Sequence, residues 1–362
     1  MKVLILTGKF GMGHWSASLA LQEQLRTAFP AAAIDVEDFF AYAMPGASET
    51  VYKAFSLLVT YGGGLYNTVY RHTADAPADR VPVYALPLSD KLAELMRQRR
   101  PDAVIATHPV CAQLVSRFKE KTGSAVPLVT CVTDLTAHSE WLSNQCGCYL
   151  VGSPQVRQEL MDKGVEGGRI LVTGIPVRSA FGRERNPEHA RERRLLIMGG
   201  GLGLLPRKDS FYQALNDLQG VQTTLITGHN QKLYDRLAGR WPHIHVVGFT
   251  DQVHVYMARS DLMLSKPGGI TLFEAISAQL PMLAWEPFLQ QERLNARFLV
   301  QEGMGRIAKK EPEACLQAIR DLIEDEAALR QMAQQMSRVK RQLESGGAYR
   351  AVSALMGTGV CV

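Results

Sequence analysis

Twice along this chain an apolar run breaks into a glycine-rich turn and then a helical pattern. Residues 2–7 lead into Gly8-Lys9-Phe10-Gly11-Met12-Gly13-His14, after which Ala17, Leu19, Ala20, Leu21 and Leu25 recur at helical spacing. Far downstream, Leu195-Leu196-Ile197-Met198 leads into Gly199-Gly200-Gly201-Leu202-Gly203. A strand–turn–helix unit of this kind starts a parallel sheet covered by helices, with ligands at the C-terminal ends of its strands. Further strands are expected at 103–107, 127–132, 148–151 and 170–178 after the first start, and at 223–227, 245–247, 261–264 and 281–285 after the second. With 362 residues the chain can hold two such domains, at roughly 150 residues each. The expected fold is α/β: two Rossmann-like, doubly wound domains facing across a cleft. The expected boundaries are 1–178, a charged linker at 179–194 holding Pro187, a second domain at 195–345, and a helix at 346–362 returning to the first domain.

Within this frame the most informative stretch is Leu264-Ser265-Lys266-Pro267-Gly268-Gly269-Ile270-Thr271-Leu272-Phe273-Glu274-Ala275. It reads as a buried strand end, a glycine turn and a helix start. Free N–H groups in a first helical turn form an anion site near Thr271, and Glu274, one turn on, can receive two vicinal hydroxyls. A phosphate site followed by a hydroxyl acceptor suggests a sugar nucleotide; the plainer reading is a βα turn with a surface Glu. His14 sits at the other helix start, where the positive helix end disfavours imidazolium. A neutral imidazole there can act as a general base, or merely cap the helix. His108, Asp134, His138 and Trp141 follow strands on the same predicted edge. Asp134 could orient His14, bind an acceptor hydroxyl or cap a turn. The cluster Glu286–Asn295 follows a strand in the second half.

Residues 39–70 are rich in aromatics and carry Glu49 and Lys53 as their only charges, with Gly62-Gly63-Gly64 interrupting them. The segment reads as neither a clean helix nor a strand. It could line an apolar cleft, rest at a membrane interface, or be buried helix and loop. The net charge of +5 favours anionic partners mildly. Basic residues gather at Arg97, Arg99 and Arg100 and between Arg178 and Arg194, where acids dilute them. No nucleic-acid motif is present. No apolar run approaches the ~18 residues of a membrane-spanning helix, and the N-terminus reads as a first strand rather than a signal peptide. The six cysteines include Cys146 and Cys148, but no second pair stands at zinc spacing, and reduced thiols in a cytoplasm are expected.

Taken in order, several motifs carry a resemblance. They are Gly11-Met12-Gly13-His14, Thr133-Asp134 with His138 and Trp141, and Val172-Thr173-Gly174-Ile175-Pro176-Val177. In the second half come Met198-Gly199-Gly200-Gly201, Gly248-Phe249-Thr250-Asp251, Lys266-Pro267-Gly268-Gly269 with Glu274-Ala275, and Gln291-Glu292 with Asn295-Ala296. The chain resembles the monogalactosyldiacylglycerol synthases and processive diacylglycerol glucosyltransferases, relatives of the peptidoglycan enzyme MurG. The resemblance implies a GT-B fold and inverting transfer of a hexose from UDP-glucose or UDP-galactose to the hydroxyl of diacylglycerol or a related lipid, in glycolipid biosynthesis. It implies His14 as general base, with Asp134 beside it in the catalytic set. It implies Glu274 on the ribose, Gly269, Ile270 and Thr271 on the diphosphate, Phe249 on uracil through its backbone, and Gln291, Glu292 and Asn295 on the hexose. Gly13, Gly200, Gly201, Gly228, Lys266 and Gly268 complete the expected donor site. Trp15, Phe55, Tyr61, Tyr66, His108, His138 and Trp141 are expected at the acceptor, with segment 39–70 as the membrane-contact region.

No cofactor is expected beyond the UDP-sugar co-substrate, and no metal, since no Asp-x-Asp motif ends a strand. The expected partners are a UDP-hexose, a lipid acceptor and the cytoplasmic membrane surface, with the protein peripheral on the inner face of the cell membrane. Two departures leave the hexose and acceptor open. Leu289-Gln290 stands where the family has Pro-Gly, and Met12 lies between Gly11 and Gly13 with Trp15 after His14. The other readings are a UDP-sugar 2-epimerase of the same fold and a non-catalytic UDP-sugar or lipid-binding protein.

Overall fold

The computed structural model describes residues 1–78, 81–182 and 192–357. The chain divides into two compact units. One comprises Met1–Arg178, Leu289–Gln291 and the chain from Leu343 on; the other comprises Ser179–Phe288 and Glu292–Gln342. Most of the stretch read as a linker, including Arg183, Arg185, Pro187 and Arg191, lies outside the described residues, as does Cys361.

The first unit holds strands β1 (Lys2–Thr7), β2 (Ala33–Asp38), β3 (Ala103–Ala106), β4 (Leu128–Cys131), β5 (Cys148–Val151) and β6 (Ile170–Val172). They form a parallel sheet in the order β2-β1-β3-β4-β5-β6, with Ile5 opposite Val36 on one side and Ile105 on the other. Every residue of β3, β4 and β5 is buried, as expected of parallel strands covered on both faces. The helices are α1 (Gly13–Ala28), α2 (Phe39–Ala43), α3 (Ser48–Tyr61), α4 (Gly63–His72), α5 (Ser89–Arg99), α6 (Pro109–Thr122) and α7 (Pro154–Asp162).

The second unit holds β7 (Arg193–Met198), β8 (Val221–Ile226), β9 (Ile244–Val247), β10 (Leu262–Ser265), β11 (Met282–Trp285) and β12 (Gly305–Ala308), parallel in the order β12-β11-β10-β7-β8-β9. Its helices are α8 (Asp209–Asn216), α9 (Gln231–Leu237), α10 (Val253–Ala258), α11 (Gly269–Ala278), α12 (Gln290–Gln301, of which Gln290 and Gln291 fall in the first unit), α13 (Pro312–Ile323) and α14 (Glu326–Gln342). The last helix, α15 (Gly347–Gly357), belongs to the first unit. Its Ala348, Ala351, Val352 and Leu355 join the core of Val3, Ile5, Leu21 and Val129. A Cβ at Gly147 would lie 2.8 Å from Leu355, so the chain before β5 must be bare where that helix rests.

Three sequence readings are corrected here. β2 and β12 carry no prediction above, and both are edge strands. In β2, Asp35 and Glu37 alternate with apolar residues and pair with Arg99 of α5 at 3.9 and 2.6 Å. Residues 39–70 are helical in three pieces, α2, α3 and α4. Arg193 and Arg194, read as linker, open β7.

Candidate active site

His14 is the second residue of α1, delivered by the turn after β1. Its Nδ1 lies 2.9 Å from the Thr107 carbonyl oxygen and 2.8 Å from Thr133 Oγ1. A carbonyl oxygen can only accept, so Nδ1 carries the proton and donates it. The neutral ring therefore keeps its lone pair on Nε2, which makes no hydrogen bond among the described residues. Burial lowers the His14 pKa to about 4, and the bond to Thr107 opposes the shift. Lost solvation, more than the helix end invoked from sequence, keeps this ring neutral. Beneath it runs a buried hydroxyl chain. Thr107 Oγ1 lies 2.8 Å from both Thr7 and Ser18, and Ser18 donates to the His14 carbonyl at 2.9 Å. β1, β3 and α1 are thus fastened together under the histidine.

Aromatic rings surround it. The His108 ring is 4.9 Å from His14 and caps α6 by accepting from the Val110 amide at 3.3 Å. That bond places the proton of His108 on Nε2, and burial first, then the neighbouring His14, holds its pKa well below the usual value. Phe10 packs on His108, Phe40, Tyr52 and Phe55, at 4.7–5.1 Å. Phe55 meets Tyr66 at 6.2 Å, Tyr66 stacks towards Tyr70 at 6.0 Å, and Tyr70 stacks on His138 at 4.0 Å. Trp141 stands 6.1 Å from His14 with its side chain buried. The structure thus joins His14, His108, Phe55, Tyr66, His138 and Trp141 through ring contacts. His138 is engaged by the protein at both nitrogens: Nε2 donates to the Tyr70 carbonyl at 2.8 Å and Nδ1 accepts from the Glu140 amide at 3.2 Å. Trp15 lies under Lys9, 4.5 Å from its ammonium, and Tyr61 is 75% exposed.

Asp134 follows Thr133 in the loop after β4. Its charge raises the pKa of both Tyr70 and Glu140, and burial, the larger cause, carries Glu140 to about 7. Phe10, Thr107 and Thr133 are site residues that sequence reasoning missed. The signal available for Thr133 was its place beside Asp134 at a strand end.

In the second unit, the turns after β7 and β8 touch through their backbones. A Cβ at Gly203 would fall 1.9 Å from the Thr227 carbonyl, and one at Gly228 would fall 2.7 Å from the carbonyls of Gly200 and Gly201. Phe249, exposed after β9, stacks on His229 at 4.0 Å. After β10, Gly268 is extended and begins α11 without a side-chain cap, so no cap side chain takes up the amides of the first turn, where Gly269, Ile270 and Thr271 stand. Glu274 lies partly exposed one turn along. α12 braces this turn: Glu292 Oε1 is 2.6 Å from Lys266 Nζ, and Asn295, fully buried, donates to the Pro267 carbonyl at 3.0 Å. In the first unit, Gln290 donates its amide to Asn67 Oδ1 at 2.9 Å and Gln291 Nε2 donates to Tyr66 at 3.3 Å. Gln291 Oε1 is buried without a partner among the described residues. No group of three or more His, Cys, Asp or Glu side chains that could hold a metal ion occurs among the described residues. Cys111, Cys131, Cys146, Cys148 and Cys315 are buried and form no disulfide among the described residues.

The family model of monogalactosyldiacylglycerol (MGDG) synthase matches residues 14–177, and that of the glycosyltransferase family 28 C-terminal domain matches residues 195–345. A processive diacylglycerol beta-glucosyltransferase of Staphylococcus carnosus is 29% identical over 353 residues, covering 94% of this chain and 89% of that protein. Among solved structures, MurG of Acinetobacter baumannii superposes with a TM-score of 0.62 at 17% identity, over 97% of this chain and 98% of its own. The glycosyltransferase of kitacinnamycin gives 0.65 at 17% identity, over 98% of each chain. These likenesses establish the GT-B fold. The chain thus joins a stretch that matches the MGDG synthase family model to one that matches the family 28 C-terminal domain, and the protein is a glycosyltransferase.

Proposed function

We propose that the protein moves a hexose from UDP-glucose or UDP-galactose to the hydroxyl of diacylglycerol or a related lipid, with inversion at the anomeric carbon. The observation that carries this reading is His14. Its tautomer leaves Nε2 with a lone pair, and its ring sits in an aromatic setting suited to a lipid alcohol. His14 Nε2 takes the acceptor proton as the hydroxyl oxygen attacks from the face opposite UDP. A ring that is neutral at pH 7 needs no prior deprotonation. The uncapped amides of α11 and the Lys266 ammonium stabilise the charge that grows on the departing diphosphate. Glu274 holds the ribose hydroxyls, and Phe249 offers its backbone to uracil. Gln291, whose Oε1 has no partner among the described residues, receives a donor from the hexose. Asp134 binds an acceptor hydroxyl.

The activity named for the Staphylococcus carnosus relative supports a diacylglycerol acceptor and favours glucose as the hexose. Among the described residues no helix is long and apolar enough to cross a membrane. α3 and α4 expose Leu57, Leu58, Tyr61 and Val69, and we assign this face to the inner surface of the cell membrane. Full-length similarity to a transferase weighs against the epimerase and the non-catalytic readings. The test offers UDP-glucose and UDP-galactose, in separate reactions, to the purified protein on diacylglycerol vesicles. A glycosyl-diacylglycerol product supports the proposal. UDP or a rearranged sugar nucleotide without a glycolipid refutes it.

A further inference from the structure

We propose that Thr133 is a positioning residue for His14: its hydroxyl is the second acceptor on Nδ1–H and holds the imidazolium formed when Nε2 takes the acceptor proton. The inference rests on the reading of His14 as the base.

The geometry leaves the hydroxyl little other work. Thr133 is 5% exposed, and its Oγ1 stands 2.8 Å from Nδ1. The Thr107 carbonyl, 2.9 Å from the same nitrogen, fixes the proton there. Thr133 therefore accepts alongside it. When Nε2 gains a proton the ring becomes cationic, and hydrogen bonds from a charged donor are about twice as strong as neutral ones. Both acceptors on Nδ1 thus favour the charged product of the proton transfer over the neutral reactant, where burial alone would oppose it. The groups facing the ring offer little help. His108, 4.9 Å away on the N-terminus of α6, is held neutral by burial and by its cap. Trp141 carries no charge. Lys9, in the turn before α1, lies over Trp15 and 4.0 Å from Asp38, and Asp134, next to Thr133, acts on Tyr70 and Glu140. The Thr107 acceptor is backbone and survives any substitution; the Thr133 hydroxyl is the part that a mutation removes.

The test compares the wild type with Thr133→Val, Thr133→Ser and His14→Ala. It measures transfer on diacylglycerol vesicles against pH, with the His14 titration read by 15N NMR. In Thr133→Val the expected results are a fall in kcat on the order of tenfold and a His14 midpoint lower by about one pH unit, with the KM for UDP-sugar unchanged. Thr133→Ser restores both quantities. In the wild type the NMR pattern is that of the Nδ1–H tautomer, a readout that needs no variant to fold. Three results overturn the proposal: an Nε2–H wild-type tautomer, wild-type kcat and midpoint in Thr133→Val, or a fall in kcat with an unmoved midpoint. His14→Ala with full transfer removes the base assignment itself, separately from anything Thr133 does.

Discussion

The Thr107 carbonyl oxygen lies 2.9 Å from His14 Nδ1, and this single contact decides which ring nitrogen is available for chemistry. Because the carbonyl cannot donate, the proton is committed to Nδ1 and the lone pair to Nε2. Replacing His14 by Ala then removes the acceptor of the proton while leaving the sheet and the donor unit untouched. The expected outcome is a loss of transfer of about 10²- to 10⁴-fold, with UDP affinity by calorimetry unchanged. A parallel loss of UDP binding would contradict the assignment.

The same ring makes stability depend on pH in a definite direction. Its folded pKa of about 4 lies below the ordinary value of 6.5, and burial lowers that of His108 as well. Below the ordinary value the unfolded chain takes up protons that the folded rings refuse, so the folded state loses ground as pH falls. The contribution is neutral above that value and grows towards the folded pKa. Glu140, raised by burial to about 7, takes up a proton in the folded state over the same window and opposes this trend in every variant, so thermal melts from about pH 7 to about pH 5 should show the midpoint lose more in the wild type than in His14→Phe. A slope unchanged by that substitution would place the effect elsewhere.

The turn between β10 and α11 owes its shape to α12. Asn295→Ala leaves the buried Pro267 carbonyl without its donor, a loss of about 1–3 kcal/mol. Lys266→Met removes a cation and strands the Glu292 carboxylate, which is 12% exposed. Both variants are expected to raise the KM for UDP-sugar more than they lower kcat, and Glu274→Ala should do the same through the ribose. A kcat defect at wild-type KM would show that these side chains act on the reaction step instead.

The outward face of α3 and α4 should govern membrane contact and nothing else. Leu57→Glu with Val69→Glu places charges at positions that are 58% and 55% exposed, so folding is unaffected. Sedimentation with anionic vesicles should fall, and transfer to vesicle-borne diacylglycerol with it, while UDP binding is retained. Undiminished vesicle binding would move the lipid-facing surface to another part of the protein.

The central strands were legible because a parallel sheet buries both faces, leaving apolar runs such as Val104-Ile105 and Leu262-Met263-Leu264. Of the edge strands, β2 and β12 were not. β2 shows Asp35 and Glu37 to solvent, and β12 exposes Arg306 and Ile307, so neither presents such a run. Helices α3 and α4 were obscured by Gly62-Gly63-Gly64, which separates them, and by a stretch so rich in aromatics and poor in charge that no boundary stands out. In the site, the glycine turn and helix start around His14 could be read directly. Its partners could not, because Thr107 and Thr133 stand 93 and 119 residues away and meet the ring only through strand order. The place of His138 after a strand suggests a ligand contact, but its Nδ1 is taken by the nearby Glu140 amide and its Nε2 by the Tyr70 carbonyl of α4, 68 residues away.

The most direct measurement of the account is the product formed on diacylglycerol vesicles from an α-linked UDP-hexose, identified by mass and by anomeric configuration. The account predicts a β-linked hexosyl-diacylglycerol, made by the wild type and absent with His14→Ala. An α-linked product, or UDP released with no glycolipid, would contradict it.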